Sequence, residues 1–165
     1  MPEKRTIERA RRDKRLGKSS STQAGEFVRE EMHHIRKGKH GARSTKQAIA
    51  IALNKARRGG VRLHAPRKGQ AKVETRRGAI AALRAGRRGR KPSRRRAAAT
   101  ERALNREPRR AATPEALARQ ARTAARRRGP MARKAAARKA VATKGPVGRK
   151  TAARKAAATR QRKAA

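Results

Sequence analysis

The sequence predicts an all-α protein in which a small helical head is followed by a largely disordered basic tail with transient helices. The 165-residue chain holds 52 Lys and Arg against 10 Asp and Glu, a net charge of +42. Leu, Ile, Val and Phe together number only 17, well below the roughly 20% under which highly charged chains tend to stay disordered. The large apolar residues cluster between residues 27 and 53 and are isolated beyond residue 83.

Charge and apolar content divide the chain into four predicted segments. Residues 1–60 carry a net charge of +11, whereas residues 61–165 carry +31. We expect a charged helix and linker at 1–21, a helical hairpin at 22–60, and an additional helix within 61–86. A basic, low-complexity, DNA-binding tail follows at 87–165.

Two helices are predicted in the first 38 residues. A short charged helix near residues 6–15 is stopped by Gly17. The hydroxyls of residues 19–22 then offer N-cap oxygens for a second helix that runs to about Lys37, with Gly38 as its C′ residue. The apolar positions of this helix follow the stripe of an amphipathic helix. They are Ala24, Phe27, Val28, Met32 and Ile35.

A third helix is predicted near residues 45–58. Ser44 and Gln47 match a capping box, and Gly59-Gly60 ends the helix. Its inward face would hold Ala48, Ile49, Ala52, Leu53 and Ala56. With the second helix and a short loop it forms an antiparallel αα-hairpin. A fourth helix near residues 71–85, stopped by Gly86, would help to cover the hairpin.

The segment beyond Gly86 is expected to form only fluctuating helix. Residues 93–107 and 113–128 are capable of helix, but Leu104 and Leu117 have no apolar partners at helical spacing. Repulsion between arginines at i and i+4 opposes such helices. We therefore expect little buried structure here.

A 16-residue tandem repeat occupies residues 129–160. The units 129–144 and 145–160 are identical at 11 of 16 positions, and each opens with Gly-Pro, a helix breaker. Basic pairs five residues apart lie about 140° apart around a helix, so charge would surround it and suit phosphate contact. The predicted DNA-binding residues are Arg133, Lys134, Arg138, Lys139, Arg149, Lys150, Arg154 and Lys155.

A second candidate DNA-binding motif lies at the head–tail boundary. Its residues are Arg87, Arg88, Gly89, Arg90 and Lys91, followed by Pro92. The motif resembles the AT-hook, whose Arg-Gly-Arg core implies binding in the narrow minor groove of A·T-rich DNA. Because no Pro precedes the core, the match is degenerate, and an ordinary basic linker is the alternative interpretation.

Two resemblances extend over longer segments. Residues 90–165 resemble the basic, Ala-rich tails of linker histones and of bacterial histone-H1-like proteins, which implies a phosphate-neutralising mode of binding. Residues 22–60 resemble an uncharacterised family of small basic bacterial proteins. That likeness depends on the box from Thr45 to Leu53, and it implies no function.

Composition disfavours several other classes. The chain has no Cys, its first 15 residues contain no apolar signal segment, and no apolar run approaches membrane-spanning length. We therefore expect a protein of the cytoplasm and nucleoid. No nucleophile–base pair or cofactor-binding loop is found, which predicts a non-enzyme without cofactors. Surface or loop positions are expected for His33, His34, His40 and His64, with no clustered carboxylate and no metal.

These observations predict largely sequence-nonspecific DNA binding and condensation by a nucleoid-associated protein. The alternative is an rRNA-binding or ribosome-associated protein, so RNA is the second candidate partner. A membrane-surface role is disfavoured because the tail has no apolar face. The hairpin offers a surface for a protein partner or for self-association, and the target of the Gln47–Leu53 box stays open.

Overall fold

The computed structural model describes residues 2–89 and 93–164, and within them every regular element is a helix. The predicted all-α character is confirmed. The chain divides into two compact units, Met1–Gln120 and Ala121–Ala165. The elements are α1 (Lys4–Arg15), α2 (Ser20–Arg36), α3 (Thr45–Arg58), α4 (Val73–Arg87), α5 (Arg94–Asn105), a short 3₁₀ helix (Arg109–Ala112) and α6 (Pro114–Ala164).

The boundaries of α2 and α3 follow the capping residues that the sequence predicts. Ser19 Oγ accepts a hydrogen bond from Thr22 N at 3.4 Å, and Ser44 Oγ accepts one from Gln47 N at 3.2 Å. Gln47 Oε1 in turn accepts from Arg43 N at 2.7 Å. The reciprocal bond therefore closes on the residue before the N-cap rather than on the N-cap itself.

Helices α2 and α3 form the predicted antiparallel hairpin, which packs at both of its ends. At the loop end Met32 and Ile35 pack with Ala48 of α3. At the open end the buried Phe27 packs with Ala56 and with Ala10 of α1. The alanines that α3 turns toward α2 are fully buried, which allows the two backbones to approach closely. The segment after α3 also covers the hairpin, because Val61 is buried and Leu63 packs against the Phe27 cluster.

Helix α4 lies against α3 through small side chains. Ala79 and Ala82 are 1% exposed. At Gly86 the approach is closer still, because a Cβ at this position would lie 2.1 Å from the carbonyl oxygen of Arg57. Only glycine fits this crossing without a shift of backbone.

The expected largely disordered tail is wrong. Helix α5, the 3₁₀ helix and α6 are all ordered helical elements. Residues 104–112 are also part of the head, since Leu104 O accepts from Gly41 N at 2.9 Å and Pro108 O accepts from Ala42 N at 3.0 Å. Ala111 and Ala112 are buried in the cluster at the hairpin loop, and Leu117 packs against it.

The prediction of a disordered tail fails because residues 104–112 contact the hairpin through small side chains and backbone. A search for large apolar residues at helical spacing misses it, because alanine buries little area but permits hydrogen bonds between neighbouring backbones. A Cβ on Gly41 would lie 1.8 Å from Glu107 O, which shows how closely the two segments approach. The first unit consequently extends to Gln120, well beyond the change in composition near residue 87.

From Gly129 onward helix α6 forms without a packed face, and the predicted Gly-Pro breaks interrupt it. Gly129 and Gly145 have non-helical backbone angles (φ 77, ψ 170 and φ 62, ψ −179). Between these breaks the segment is rich in alanine, the strongest helix former. Like-charge pairs cost only about 0.2–0.5 kcal/mol each on an exposed helix and are screened by salt, so alanine propensity outweighs the repulsion.

Candidate nucleic-acid interface

The repeat residues predicted to bind DNA all lie on the exposed surface of α6. No other part of their compact unit covers them. The eight exposed side chains are Arg133, Lys134, Arg138, Lys139, Arg149, Lys150, Arg154 and Lys155. Their guanidinium and ammonium groups are thus available for contact with phosphate.

The two repeat units have the same local structure. In each unit the opening glycine has positive φ and the following proline occupies the first helical turn, where its missing N–H costs nothing. Arg133 Nε donates to Gly129 O at 3.4 Å, and Arg149 Nε donates to Gly145 O at 3.4 Å. The basic pairs of the two units therefore occupy equivalent positions relative to the start of each helical segment.

No carboxylate side chain offsets the charge of this second unit. Residues 121–165 contain 16 Lys and Arg and no Asp or Glu. At 1.5 Å per helical residue, this is about one positive charge per 4 Å of helix. One strand of duplex DNA carries a negative charge about every 3.4 Å, so the two charge densities are similar.

Five of the ten carboxylates of the head are buried or lie in ion pairs, namely Glu3, Asp13, Glu26, Glu30 and Glu31. Asp13 and Glu31 are buried and pair with Lys18 at 2.8 Å and with Lys55 at 2.6 Å. Glu26 pairs with arginines of α1 and α2. Since these negative charges are neutralised locally, the outer surface of the head is also predominantly basic.

The candidate AT-hook is only partly within the described residues. Arg87 ends α4, Arg88 is its C-cap, and Gly89 has a φ of +61. Arg90 and Lys91 lie outside the described residues.

The sequence analysis did not single out the run of three arginines at the start of α5. Ser93 caps this helix by accepting from Arg96 N at 3.3 Å, and the side chains of Arg94, Arg95 and Arg96 are all exposed. The signal that identifies them is the run itself, placed directly after a capping serine. These three arginines form a second exposed cationic cluster, in addition to the eight basic residues of the repeat.

Two other arginines make hydrogen bonds within the fold, unlike the exposed arginines of α5 and α6. Arg36 Nε donates to Ala112 O at 2.8 Å. Arg57 is buried and donates to Asn54 Oδ1 and to His64 O, each at 3.0 Å. Burial also lowers the pKa of Arg57. The buried guanidinium of Arg57 is therefore not available to phosphate, whereas Arg36 remains exposed.

The histidines divide into two classes. His33 and His64 are exposed, as expected. His34 is buried and His40 is half-buried, and both lie beside glutamates. For these two the expectation that no carboxylate clusters with a histidine is wrong, because Gly38 (φ +75) turns the chain back and brings His40 over the end of α2.

The role of the hairpin as a surface for a partner or for self-association stays a prediction. The apolar stripe of the hairpin packs against α1 at the open end and against the 3₁₀ helix at the loop end. No helix in the described ranges is both long and apolar enough to cross a bilayer. No protein-family model, curated protein or solved structure matches the chain.

Proposed function

We propose that this protein binds DNA with little sequence preference and condenses it, as a non-enzymatic, histone-H1-like protein of the bacterial nucleoid. The observation that supports this most directly is the exposed second unit, with 16 cationic residues and no acidic one. Such a segment gains nothing from burial in a protein core. Its charge is best neutralised by a polyanion.

Counterion release supplies the free energy of binding in this mechanism. Each phosphate that Lys or Arg neutralises releases condensed cations from the duplex, and the gain shrinks as bulk salt rises. The proposal therefore requires a steep dependence of affinity on salt. The two repeat units would act as equivalent modules along the duplex, since their local structures are the same.

The side chains present favour phosphate contact over reading of bases. Reading of single-stranded RNA depends on stacking of bases on aromatic rings. Phe27 is the chain's one Phe, Tyr or Trp, and it is buried. Beyond Gln120 the large apolar residues of α6 are Met131, Val141 and Val147, which are isolated and exposed and form no apolar face. The exposed surface of α6 therefore suits condensation of DNA without contacts that read the bases.

A salt titration of the full chain tests the mechanism. The binding constant for a fluorescent 30-base-pair duplex of mixed sequence is measured by anisotropy at several salt concentrations. We expect log Kobs to fall linearly with log[salt], with a slope of about −0.9 per phosphate contacted. An affinity that changed little between low and moderate salt would overturn the counterion-release mechanism.

Cross-linking in cells distinguishes DNA from RNA as the partner. The protein is cross-linked, recovered under denaturing conditions, and its bound DNA and rRNA are counted. Recovery mainly of DNA, spread over many loci, is expected. Recovery mainly of rRNA would contradict the nucleoid proposal and favour the ribosome-associated alternative, even if the salt dependence in vitro were steep.

A further inference from the structure

We propose that the head contains a divalent-metal site of the zinc class, formed by Glu31, His34 and His40. One donor atom from each of these residues lies within 4.8 Å of the other two. Glu31 and His34 come from the last turns of α2, and His40 comes from the loop that follows. The site is independent of the proposed DNA binding and would hold whether the partner is DNA or RNA.

The local fold explains why these side chains converge. Glu31 and His34 are three residues apart and therefore share a face of α2, the Glu-x-x-His spacing that helical proteins use to present two metal ligands. The loop then returns His40 to this face. It is held there by hydrogen bonds from Gly41 N to Leu104 O and from Ala42 N to Pro108 O.

Two buried polar atoms in the cluster have no hydrogen-bond partner. These are Glu31 Oε1 and His40 Nε2, which face each other at 3.5 Å. Unpaired buried polar atoms are costly and call for an explanation. Two ligands of a tetrahedral zinc ion at about 2.1 Å from the metal lie roughly 3.4 Å apart. The observed separation matches that of two ligands of one ion.

The remaining contacts suit a monodentate carboxylate and two imidazoles. Lys55 Nζ lies 2.6 Å from Glu31 Oε2, which leaves Oε1 as the free donor atom. His34 Nε2 is hydrogen-bonded to Glu3 Oε1 at 2.7 Å and lies 3.9 Å from Glu30 Oε1, so coordination through Nδ1 would keep this bond and coordination through Nε2 would replace it. Glu30 is itself buried, and its Oε2 also lacks a partner. Two His and one Glu are a ligand set found in zinc sites with three protein ligands.

The charge balance favours a cation at this point of a very basic protein. Three of the ten acidic residues converge here, namely Glu3, Glu30 and Glu31. The ammonium groups in contact with them are those of Lys39 and Lys55. The three carboxylates outnumber these two ammonium groups, and a divalent ion offsets the difference. Imidazole ligands select Zn²⁺ and its neighbours over Mg²⁺ and Ca²⁺.

The test uses the full chain without an affinity tag, freed of nucleic acid by nuclease and high salt and then stripped with a chelator. Zn²⁺ binding is measured by equilibrium dialysis, and Co²⁺ binding by its visible spectrum. We expect one ion per chain, a higher melting temperature with Zn²⁺, and no such effect of Mg²⁺. Absence of one-to-one binding in the unmodified protein would overturn the proposal.

Matched histidine variants locate the site. His34→Gln and His40→Gln should each weaken Zn²⁺ binding by at least about tenfold, whereas the control His33→Gln, an exposed neighbour on the same helix, should leave it unchanged. Equal binding by all three variants would show that His34 and His40 only form ion pairs with the glutamates.

A measurement on the unmodified protein covers the case in which His34→Gln or His40→Gln fails to fold. Zn²⁺ should shift the imidazole nitrogen resonances of His34 and His40 but not those of His33 and His64. Shifts confined to His33 or His64 would contradict the assignment.

Discussion

Glu3 is the residue whose titration the structure links most clearly to stability. Hydrogen bonds from His34 and then from Lys39 lower the pKa of Glu3 from 4.5 to about 2. A carboxylate whose pKa is lower in the folded state stabilises that state above its unfolded pKa, and the contribution is lost as the pH falls through the folded pKa. The stabilising contribution of Glu3 is therefore lost as the pH falls from about 4.5 to about 2.

Substitution of Glu3 tests this linkage. In the presence of a chelator, Glu3→Gln should lower the melting temperature at pH 6, and the difference from the unmodified protein should shrink as the pH falls from 4.5 toward 2. Glu8→Gln, at an exposed position in α1, serves as the control. A melting-temperature difference independent of pH would show that Glu3 acts without its charge.

The eight basic residues of the repeat could be placed on an exposed surface from sequence, because the large apolar residues near them, Met131, Val141 and Val147, are too scattered to form a core. The cluster at the end of α2 could be predicted only in part. The spacing of Glu31 and His34 is readable, but the return of His40 depends on the Gly38 turn and on bonds to residues 104 and 108. Backbone contacts between residues so far apart in the chain leave no local pattern in the amino-acid sequence.

At the scale of elements, the crossing of α3 and α4 depends on one glycine. A Cβ at Gly86 would lie 2.1 Å from Arg57 O, whereas one at Gly78 would have only Asn54 Nδ2 within range, at 3.8 Å. Gly86→Ala should lower the free energy of unfolding by about 1–3 kcal/mol. Gly78→Ala, on the same helix, should raise it by up to about 1 kcal/mol. Urea unfolding measures both changes, and equal effects would contradict the close crossing.

The docking of the 3₁₀ helix on the hairpin is a second element-scale feature. The buried Thr45 Oγ1 donates to Ala111 O at 2.7 Å. Thr45→Val removes the donor and leaves that carbonyl unpaired, so it should cost about 1–3 kcal/mol of stability. Thr100→Val, at an exposed position in α5, should cost little. If both cost the same, residues 109–112 would not be docked as described.

Helices α1 to α4 could be predicted closely because their signals are local: caps, glycine stops and an apolar stripe. The third helix was predicted at residues 45–58, the range that α3 occupies. The order of the tail was not predicted, because large apolar residues were the criterion for a core. Ala111 and Ala112 bury little area, yet they close the loop end of the hairpin.

At the scale of the whole molecule, both units carry excess positive charge but differ in how it is compensated. The first unit holds all ten acidic residues, several of them in buried or paired positions. The second unit holds none. We therefore expect most phosphate contacts on α6, while the arginines at the start of α5 and the proposed metal cluster belong to the head.

The most direct test of this assignment compares salt slopes of variants in which charge is removed from different places. One variant replaces Arg133, Lys134, Arg138 and Lys139 by Gln, and a second replaces Arg149, Lys150, Arg154 and Lys155. The control replaces two arginines and two lysines at exposed positions of the head, Arg11, Lys14, Arg62 and Lys68. All three lose the same charge.

Binding to a mixed-sequence duplex is measured by anisotropy over a range of salt. We expect each repeat variant to reduce the magnitude of the slope of log Kobs against log[salt] by up to about 3.6, while the control changes it by less than about 1. Equal changes in the control and the repeat variants would contradict the claim that the repeat is the principal DNA-binding surface.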